Sequence, residues 1–324
     1  MALPWSRRSF WAPRALGLLL GCCSAGCARE QAPGDEIALW PGTAPGSEGL
    51  ALSEQITERS QDPSVPDRIR TGISRPRLIP FRAQKPSGVA LIIAPGGGYV
   101  REVLDKEGFE TARWLAARGV DAFLLVYRLP GEGHQQRASV PLQDAQRAVR
   151  VLRGRAGALG LDPRRIGFLG FSAGGHVAAS VATRFDASVY APVDALDTES
   201  ARPDFSILLY PVISLEEGIA HGGSRTALLG EAASPADLAS YSADRNVTAA
   251  TPPTLLILAD DDPAVLPANS LRYYEALHRN GVPAELHVFA QGKHGFGIRG
   301  ARGLPAGNWP ELAWSWLHAS GVLR

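Results

Sequence analysis

Gly170-Phe171-Ser172-Ala173-Gly174 constrains this chain more tightly than any other segment. Before it runs Arg165-Ile166-Gly167-Phe168-Leu169, which suits a buried strand. After it runs Gly175-His176-Val177-Ala178-Ala179-Ser180-Val181, which suits a close-packed helix. A Gly-x-Ser-x-Gly run between strand and helix reads as a nucleophile elbow, a sharp turn that lifts a serine hydroxyl out of the sheet. The two glycines remove the Cβ atoms that would clash in so tight a turn. Five residues alone recur by chance. Their flanks, and the partners found downstream in the matching order, give them weight.

Around the elbow, apolar runs alternate with helical patterns. This predicts an α/β fold, a mostly parallel central sheet with helices on both faces, in a single domain. The predicted strands are Val89–Ala94, Val120–Tyr127, Arg165–Phe171, Phe205–Tyr210, Thr254–Ala259 and Ala284–Phe289. Predicted helices run from about Lys106 to Arg118 with Gly119 as cap, and from Pro141 to about Leu159. Two more run from Pro267 to Asn280 and from Pro310 to Ala319. The 324 residues, 45% of them hydrophobic, are ample for one such domain. Ile37 to about Arg75 reads as an extended, turn-rich lead-in. Residues 213–250, weak in periodicity, read as an excursion over the carboxyl edge of the sheet and a candidate substrate lid. Trp309, Trp314 and Trp316 read as core rather than as a sugar-stacking surface.

Residues 1–27 read as an export signal and are set apart from the fold. Ser6-Arg7-Arg8-Ser9-Phe10 resembles a twin-arginine signal, and the apolar stretch from Ala15 to Leu20 is too short to span a bilayer. Leu19-Leu20-Gly21-Cys22 resembles a bacterial lipobox, which makes Cys22 the expected lipidation site; Cys27 is the alternative. The expectation is an exported bacterial lipoprotein of the periplasm or cell envelope, held at a membrane by its lipid. Residues 28–36 would be the tether and residues 37–324 the catalytic domain. All three cysteines, Cys22, Cys23 and Cys27, lie in the leader, so the body holds no disulfide and no thiolate nucleophile. With 33 basic and 32 acidic residues, no basic stripe points to nucleic acid. No His/Asp cluster has the spacing of metal ligands, so chemistry without metal or cofactor is expected.

Serine is a poor nucleophile until a base takes its proton, and that base needs an orienting partner. His294, in the Gln291–Gly297 loop after the last predicted strand, is the favoured base. His278, His287 and His318 fall inside predicted helices or a strand, His221 lies in the excursion, and His134 follows an earlier strand. His176, one turn past Ser172, is placed to hydrogen-bond beneath the elbow. The orienting acid should follow the strand before the histidine's, where Asp260, Asp261 and Asp262 stand in a row. Donors for a developing oxyanion should come from Pro95-Gly96-Gly97-Gly98-Tyr99, where glycines let the backbone approach closely. The N–H groups of Gly97 or Gly98, with that of Ala173, are the candidates. The loop lacks the Lys-Ser/Thr ending of a phosphate cradle.

Further short motifs join these: Leu39-Trp40-Pro41-Gly42, Asp105-Lys106-Glu107-Gly108, Tyr127-Arg128-Leu129, Pro141-Leu142-Gln143-Asp144-Ala145 and Asn269-Ser270-Leu271. Taken in order with the glycine loop, the elbow and Gly292-Lys293-His294-Gly295-Phe296, they resemble the secreted carbohydrate-esterase branch of the α/β-hydrolases. Its members are xylanase-like, acetyl-xylan-esterase-like or feruloyl-esterase-like proteins. The resemblance runs from about Ile37 to the C-terminus. It implies hydrolysis of acyl esters, chiefly acetyl, on plant-wall or related sugars by Ser172, Asp262 and His294, in the chain order of that fold. Its partners would be small-molecule or oligosaccharide esters. An acid three residues before Val265 selects Asp262, with Asp261 the runner-up and Asp260 left to satisfy loop donors. Glu107 and Arg128 would hold loops in place near the site.

Pro95 stands where hormone-sensitive-lipase-like enzymes carry a histidine, which argues against that neighbouring family. No pair of carboxylates stands where glycoside hydrolysis needs one. Feruloyl esterase and short-chain carboxylesterase or lipase are the alternatives. Serine peptidase and a non-catalytic sugar-binding protein stand behind those.

Overall fold

The computed structural model describes residues 35–324. The export signal, Cys22, Cys27 and most of the tether lie outside the described residues. The chain enters through β1 (Ile37–Ala38), β2 (Gln55–Glu58), β3 (Arg68–Thr71) and β4 (Arg77–Phe81). Then come β5 (Ala90–Ala94), β6 (Glu102–Val103), α1 (Glu110–Ala116) and β7 (Asp121–Val126). The middle is α2 (Val140–Gly154), α3 (Ala156–Leu159), β8 (Ile166–Phe171), α4 (Ser172–Thr183) and β9 (Phe205–Leu209). After α5 (Gly222–Leu229) and α6 (Pro235–Tyr241) the chain closes with β10 (Thr254–Ala259), α7 (Ala268–Arg279), β11 (Ala284–Phe289) and α8 (Trp309–Ala319).

Eight strands form the central sheet in the order β1-β4-β7-β5-β8-β9-β10-β11. From β7 to β11 all pairings are parallel, whereas β1 and β4 join antiparallel at one edge. Every residue of β5, β7, β8, β9 and β10 is buried, which is why these strands read as unbroken apolar runs. β11, at the other edge, mixes partly buried and exposed residues.

The path through the sheet sets the position of the site. From β5 the chain moves outward to β7, then returns to the far side of β5 as β8 and continues in that direction. Right-handed crossovers therefore put α1 on one face and α2, α4 and α7 on the other. In agreement, α2 packs on α4, α1 meets α8 through Trp114 edge-on to Trp314, and Arg118, just past α1, pairs with Glu311 of α8. The reversal leaves a crevice beyond the carboxyl ends of β5 and β8, the place where ligands bind in open α/β sheets. Ala94 is paired with Gly170, so the two strands end side by side.

Four regions differ from the sequence expectation. The lead-in is not only turns: β2 and β3 pair antiparallel and form a small separate sheet with β6. All four residues of β2 are exposed, so no apolar alternation announces it. The helix expected from Lys106 opens as a π-type turn over Asp105–Phe109 before α1, and the helix expected to reach Leu159 breaks at Arg155. The excursion contains α5 and α6, both short. Trp309 and Trp316 are buried, and Trp314 packs against the core.

Several of the short motifs turn out to share one buried network. The Trp40 indole N–H donates to Asp144 (2.9 Å), whose carboxylate also accepts from the Arg128 backbone N–H and guanidinium. Arg128 in turn donates to the Pro45 carbonyl and Ser47 hydroxyl, fastening the lead-in to the sheet. A charged pair this deeply buried is sustained only because nearly every donor and lone pair finds a partner.

Candidate active site

Ser172 opens α4 with φ of +52°, in the left-handed region that side chains other than glycine seldom occupy. Its neighbours hold it there. A Cβ at Gly170 would strike the Gly174 carbonyl, and one at Gly174 would strike the carbonyls of Ala94 and Pro95. A Cβ at Gly175 would come within 2.6 Å of the Pro211 side chain. These glycines let α4 press against the loop that leaves β5. The Val212 N–H donates to the Ser172 carbonyl (3.0 Å) and completes the turn.

Three side chains from the ends of three strands meet above this turn. Ser172 Oγ lies 2.8 Å from His294 Nε2, and His294 Nδ1 lies 2.7 Å from Asp262 Oδ2. The other Asp262 oxygen accepts the N–H groups of Ala264 and Val265, which fixes the buried carboxylate. A carboxylate on Nδ1 places the proton of a neutral ring there and leaves Nε2 free to accept from the serine.

The neighbouring acids do other work. Asp261 accepts the N–H groups of Gly292 (2.9 Å) and Lys293 (2.7 Å) and so clamps the loop that carries His294. The sequence assigned that service to Asp260. Its side chain is instead exposed, and its own N–H donates to the Phe289 carbonyl. The reason is register: Asp260 still runs with the strand, and the chain turns toward the histidine loop only one residue later.

In the loop after β5, the Gly96 N–H is already taken, donating to Glu107 Oε2 (3.0 Å). Gly97 and Gly98 have φ of +135° and +67°, and their N–H groups have no hydrogen-bond partner among the described residues. A Cβ at Gly97 would strike the Arg101 carbonyl. Ala173 lies in the first turn of α4, where N–H groups lack a helix-internal acceptor.

Glu107, buried, also accepts the Tyr210 hydroxyl at Oε1 (3.0 Å). Burial pushes its carboxyl above the ordinary range, while the charges of Lys106 and His294 pull it back. Tyr210 has φ of +36°, packs edge-on against His294 with centroids 5.0 Å apart, and accepts the Gly297 N–H. Glu107 and Tyr210 thus join the glycine loop to the histidine loop. Sequence reading missed Tyr210, whose only signal was an aromatic residue at a strand end before Pro211.

His176 is not at the reacting face. Its Nε2–H donates to the Tyr241 carbonyl and its Nδ1 accepts the Tyr99 hydroxyl (2.7 Å). Burial lowers its pKa to about 4, so the ring is neutral near pH 7.

A cavity of about 310 Å³ opens over Ser172 and His294. Its lining includes Gly97, Gly98, Arg59, Arg101, Lys106 and His221. Arg59 comes from the lead-in and His221 from the excursion, regions in which sequence reading found no site residue. His221 is held in place indirectly by Asn269, which accepts the N–H groups of Ile213 and Ser214 and donates to the Ile219 carbonyl.

Comparison with known proteins follows the same lines. The profile of the alpha/beta hydrolase fold matches residues 91–298. An acetylxylan esterase of Xylanibacter ruminicola is 34% identical over 226 residues, covering 68% of this chain and 44% of that protein. Endo-1,4-beta-xylanase B of Butyrivibrio fibrisolvens is 33% identical over 208 residues, covering 64% of this chain and 32% of its own. The chain therefore spans less than half the length of these two curated relatives. The crystal structure of an acetyl ester-xyloside bifunctional hydrolase from Caldicellulosiruptor lactoaceticus superposes with a TM-score of 0.74 at 36% identity. That match covers 90% of this chain and 98% of that one.

Proposed function

This chain belongs to the α/β-hydrolase fold family, and from that premise we propose that it is a serine esterase removing acyl groups, chiefly acetyl, from carbohydrates such as xylan-derived saccharides. The observation that carries the reading is the chain Asp262–His294–Ser172, with links of 2.7 and 2.8 Å, opening onto a cavity of about 310 Å³. The sugar ester rests on the likeness to relatives named as acetylxylan esterase and acetyl ester-xyloside hydrolase.

His294 Nε2 takes the Ser172 proton as Oγ attacks the acyl carbonyl. The N–H groups of Gly97, Gly98 and Ala173 stabilise the oxyanion, each such donor contributing on the order of 10²–10³ in rate. Asp262 holds the ring and stabilises the imidazolium. His294 then gives its proton to the departing sugar oxygen, leaving an acyl-serine. Water, activated by the same nitrogen, releases the acid and restores the serine.

The test is acetate released from acetylated xylo-oligosaccharides, with Ser172→Ala alongside. Release by the wild type alone supports the reading. Hydrolysis of p-nitrophenyl acetate without release from the saccharide would retain the serine mechanism and move the substrate to feruloyl or other esters. Inactivity on both would overturn the enzyme reading.

We further propose that the protein is exported and anchored through a lipid on Cys22, or on Cys27 if the second box is used. Incorporation of labelled palmitate into the wild type, and its loss in Cys22→Ser but not Cys27→Ser, would support Cys22. No incorporation into the wild type would sink the anchor.

A further inference from the structure

We propose that the cavity over Ser172 is built for an acidic sugar ester, an acetylated oligosaccharide bearing a uronic-acid carboxylate, which Arg101, Lys106 and His221 hold. The proposal rests on the esterase reading and names the substrate class of that site. Apart from the triad and Glu107, the ionisable side chains lining the cavity are Arg59, Arg101, Lys106 and His221. All are hydrogen-bond donors, as follows.

Arg59 is neutralised by Asp67 (2.8 Å). Arg101 has no ion-pair partner among the described residues, and its Nε is buried without a hydrogen bond. Lys106 holds its ammonium beside Gly295, 3.7 Å from where a Cβ on that glycine would stand, next to the reacting histidine. Glu107, the one carboxylate lining the cavity among the described residues outside the triad, has both oxygens turned to Gly96 and Tyr210.

His221 completes the set through its tautomer. It caps α5, with Nδ1 accepting the Ser224 N–H (3.2 Å), so a neutral ring carries its proton on Nε2. Burial and the neighbouring His294 keep the ring below its ordinary pKa, hence neutral. Its Nε2 has no partner among the described residues.

A neutral sugar hydroxyl donates as well as accepts, and a wall of donors leaves its hydrogen unmatched. A carboxylate only accepts, and charge-assisted bonds to Arg or Lys are the stronger kind. The wall therefore fits a carboxylate better than a neutral sugar.

The experiment compares kcat/KM for acetate release from two acetylated xylo-oligosaccharides that differ only in a glucuronic acid branch. Wild type, Arg101→Gln, Lys106→Gln and the double variant are measured at about 10 mM and about 1 M ionic strength, where the Debye length falls from about 30 Å to about 3 Å. The wild type should prefer the acidic substrate by about tenfold or more at low salt. The preference should shrink at high salt and approach unity in the double variant. His221→Phe should reduce it as well. As a second reading, the deacetylated acidic oligosaccharide should inhibit p-nitrophenyl acetate hydrolysis by the wild type more strongly than the neutral one. Equal rates on both saccharides, or a preference surviving in the double variant, overturns the acidic subsite and leaves the esterase standing. Failure to release acetate from either saccharide overturns the esterase reading on sugars, and this subsite with it.

Discussion

The floor of the candidate site lies at the carboxyl ends of β5 and β8, where every strand residue is buried and glycines leave no room for a side chain. Its walls come in part from the lead-in hairpin and from residues 213–250, where β2 is wholly exposed and α6 buries no residue. The difference teaches where position is enforced. On the floor, Ser172 occupies a strained backbone conformation that persists because its surroundings over-determine it. On the walls, Arg59 and His221 sit on segments pinned at a few points, Arg59 by its pair with Asp67 and His221 by its cap on α5. Changes on the floor should therefore remove chemistry, and changes on the walls should retune it.

The largest effect sharpens that contrast. Ser172→Ala should lower kcat by on the order of 10⁴–10⁶ while the circular dichroism and thermal midpoint stay near those of the wild type. A Ser172→Ala protein that retains more than a few per cent of activity would break the idea that the floor holds the nucleophile.

Next comes a pair of neighbouring acids that differ in burial. Asp262→Asn should cost on the order of 10⁴ in kcat, because an amide cannot stabilise the imidazolium and favours the wrong tautomer. Asp261→Asn keeps one acceptor for the Gly292 and Lys293 N–H groups, and should stay within about tenfold of wild type. Reversed magnitudes would mean that the exposed carboxylate, not the buried one, orients His294.

These two acids also mark how far sequence reading reaches. The parallel strands were legible because strands buried on both faces must be apolar throughout, and the elbow because its turn admits so few residues. The acid lay among three candidates, since consecutive aspartates look alike until the chain's turn buries one and exposes two. Gly97 and Gly98 were legible as a pair because both stand at positive φ, where a side chain is disfavoured. Tyr210, Arg59 and His221 were not. Tyr210 joins the site through a backbone kink at a strand end, and the other two through loops held by partners no local pattern marks, Asp67 across the hairpin from Arg59 and Asn269 far along the chain from His221. β2 went unread because nothing on it is buried.

A smaller effect tests the link between floor and wall. His176, beneath the elbow, donates to the Tyr241 carbonyl at the end of α6. Its folded pKa of about 4 lies below the ordinary 6.5, so the neutral buried ring contributes stability that is fully present above about pH 6.5. That contribution is lost as pH falls toward 4 and amounts to about 3 kcal/mol over the interval. Thermal midpoints measured from pH 7.5 down to 4 should fall more steeply for the wild type than for His176→Gln. Parallel curves would show that the ring does not titrate within this interval.

The smallest effect concerns a second serine at a helix start. Ser234 caps α6, accepting the Asp237 N–H (3.1 Å) while Asp237 accepts the Ser234 N–H in return. Both residues are exposed, and the helix they begin is only seven residues long. Ser234→Ala should cost about 1 kcal/mol, felt as local opening, so amide exchange in α6 should quicken roughly fivefold. Its kcat/KM should match the wild type, because the bond that ties α6 to the floor lies at the opposite end, at Tyr241. The same substitution would then abolish turnover at Ser172, whose hydroxyl meets His294, and leave it untouched at Ser234, whose hydroxyl meets only its own helix. A fall in activity with Ser234→Ala would mean that fraying at one end of α6 reaches His176 at the other, and that the wall helps to hold the elbow.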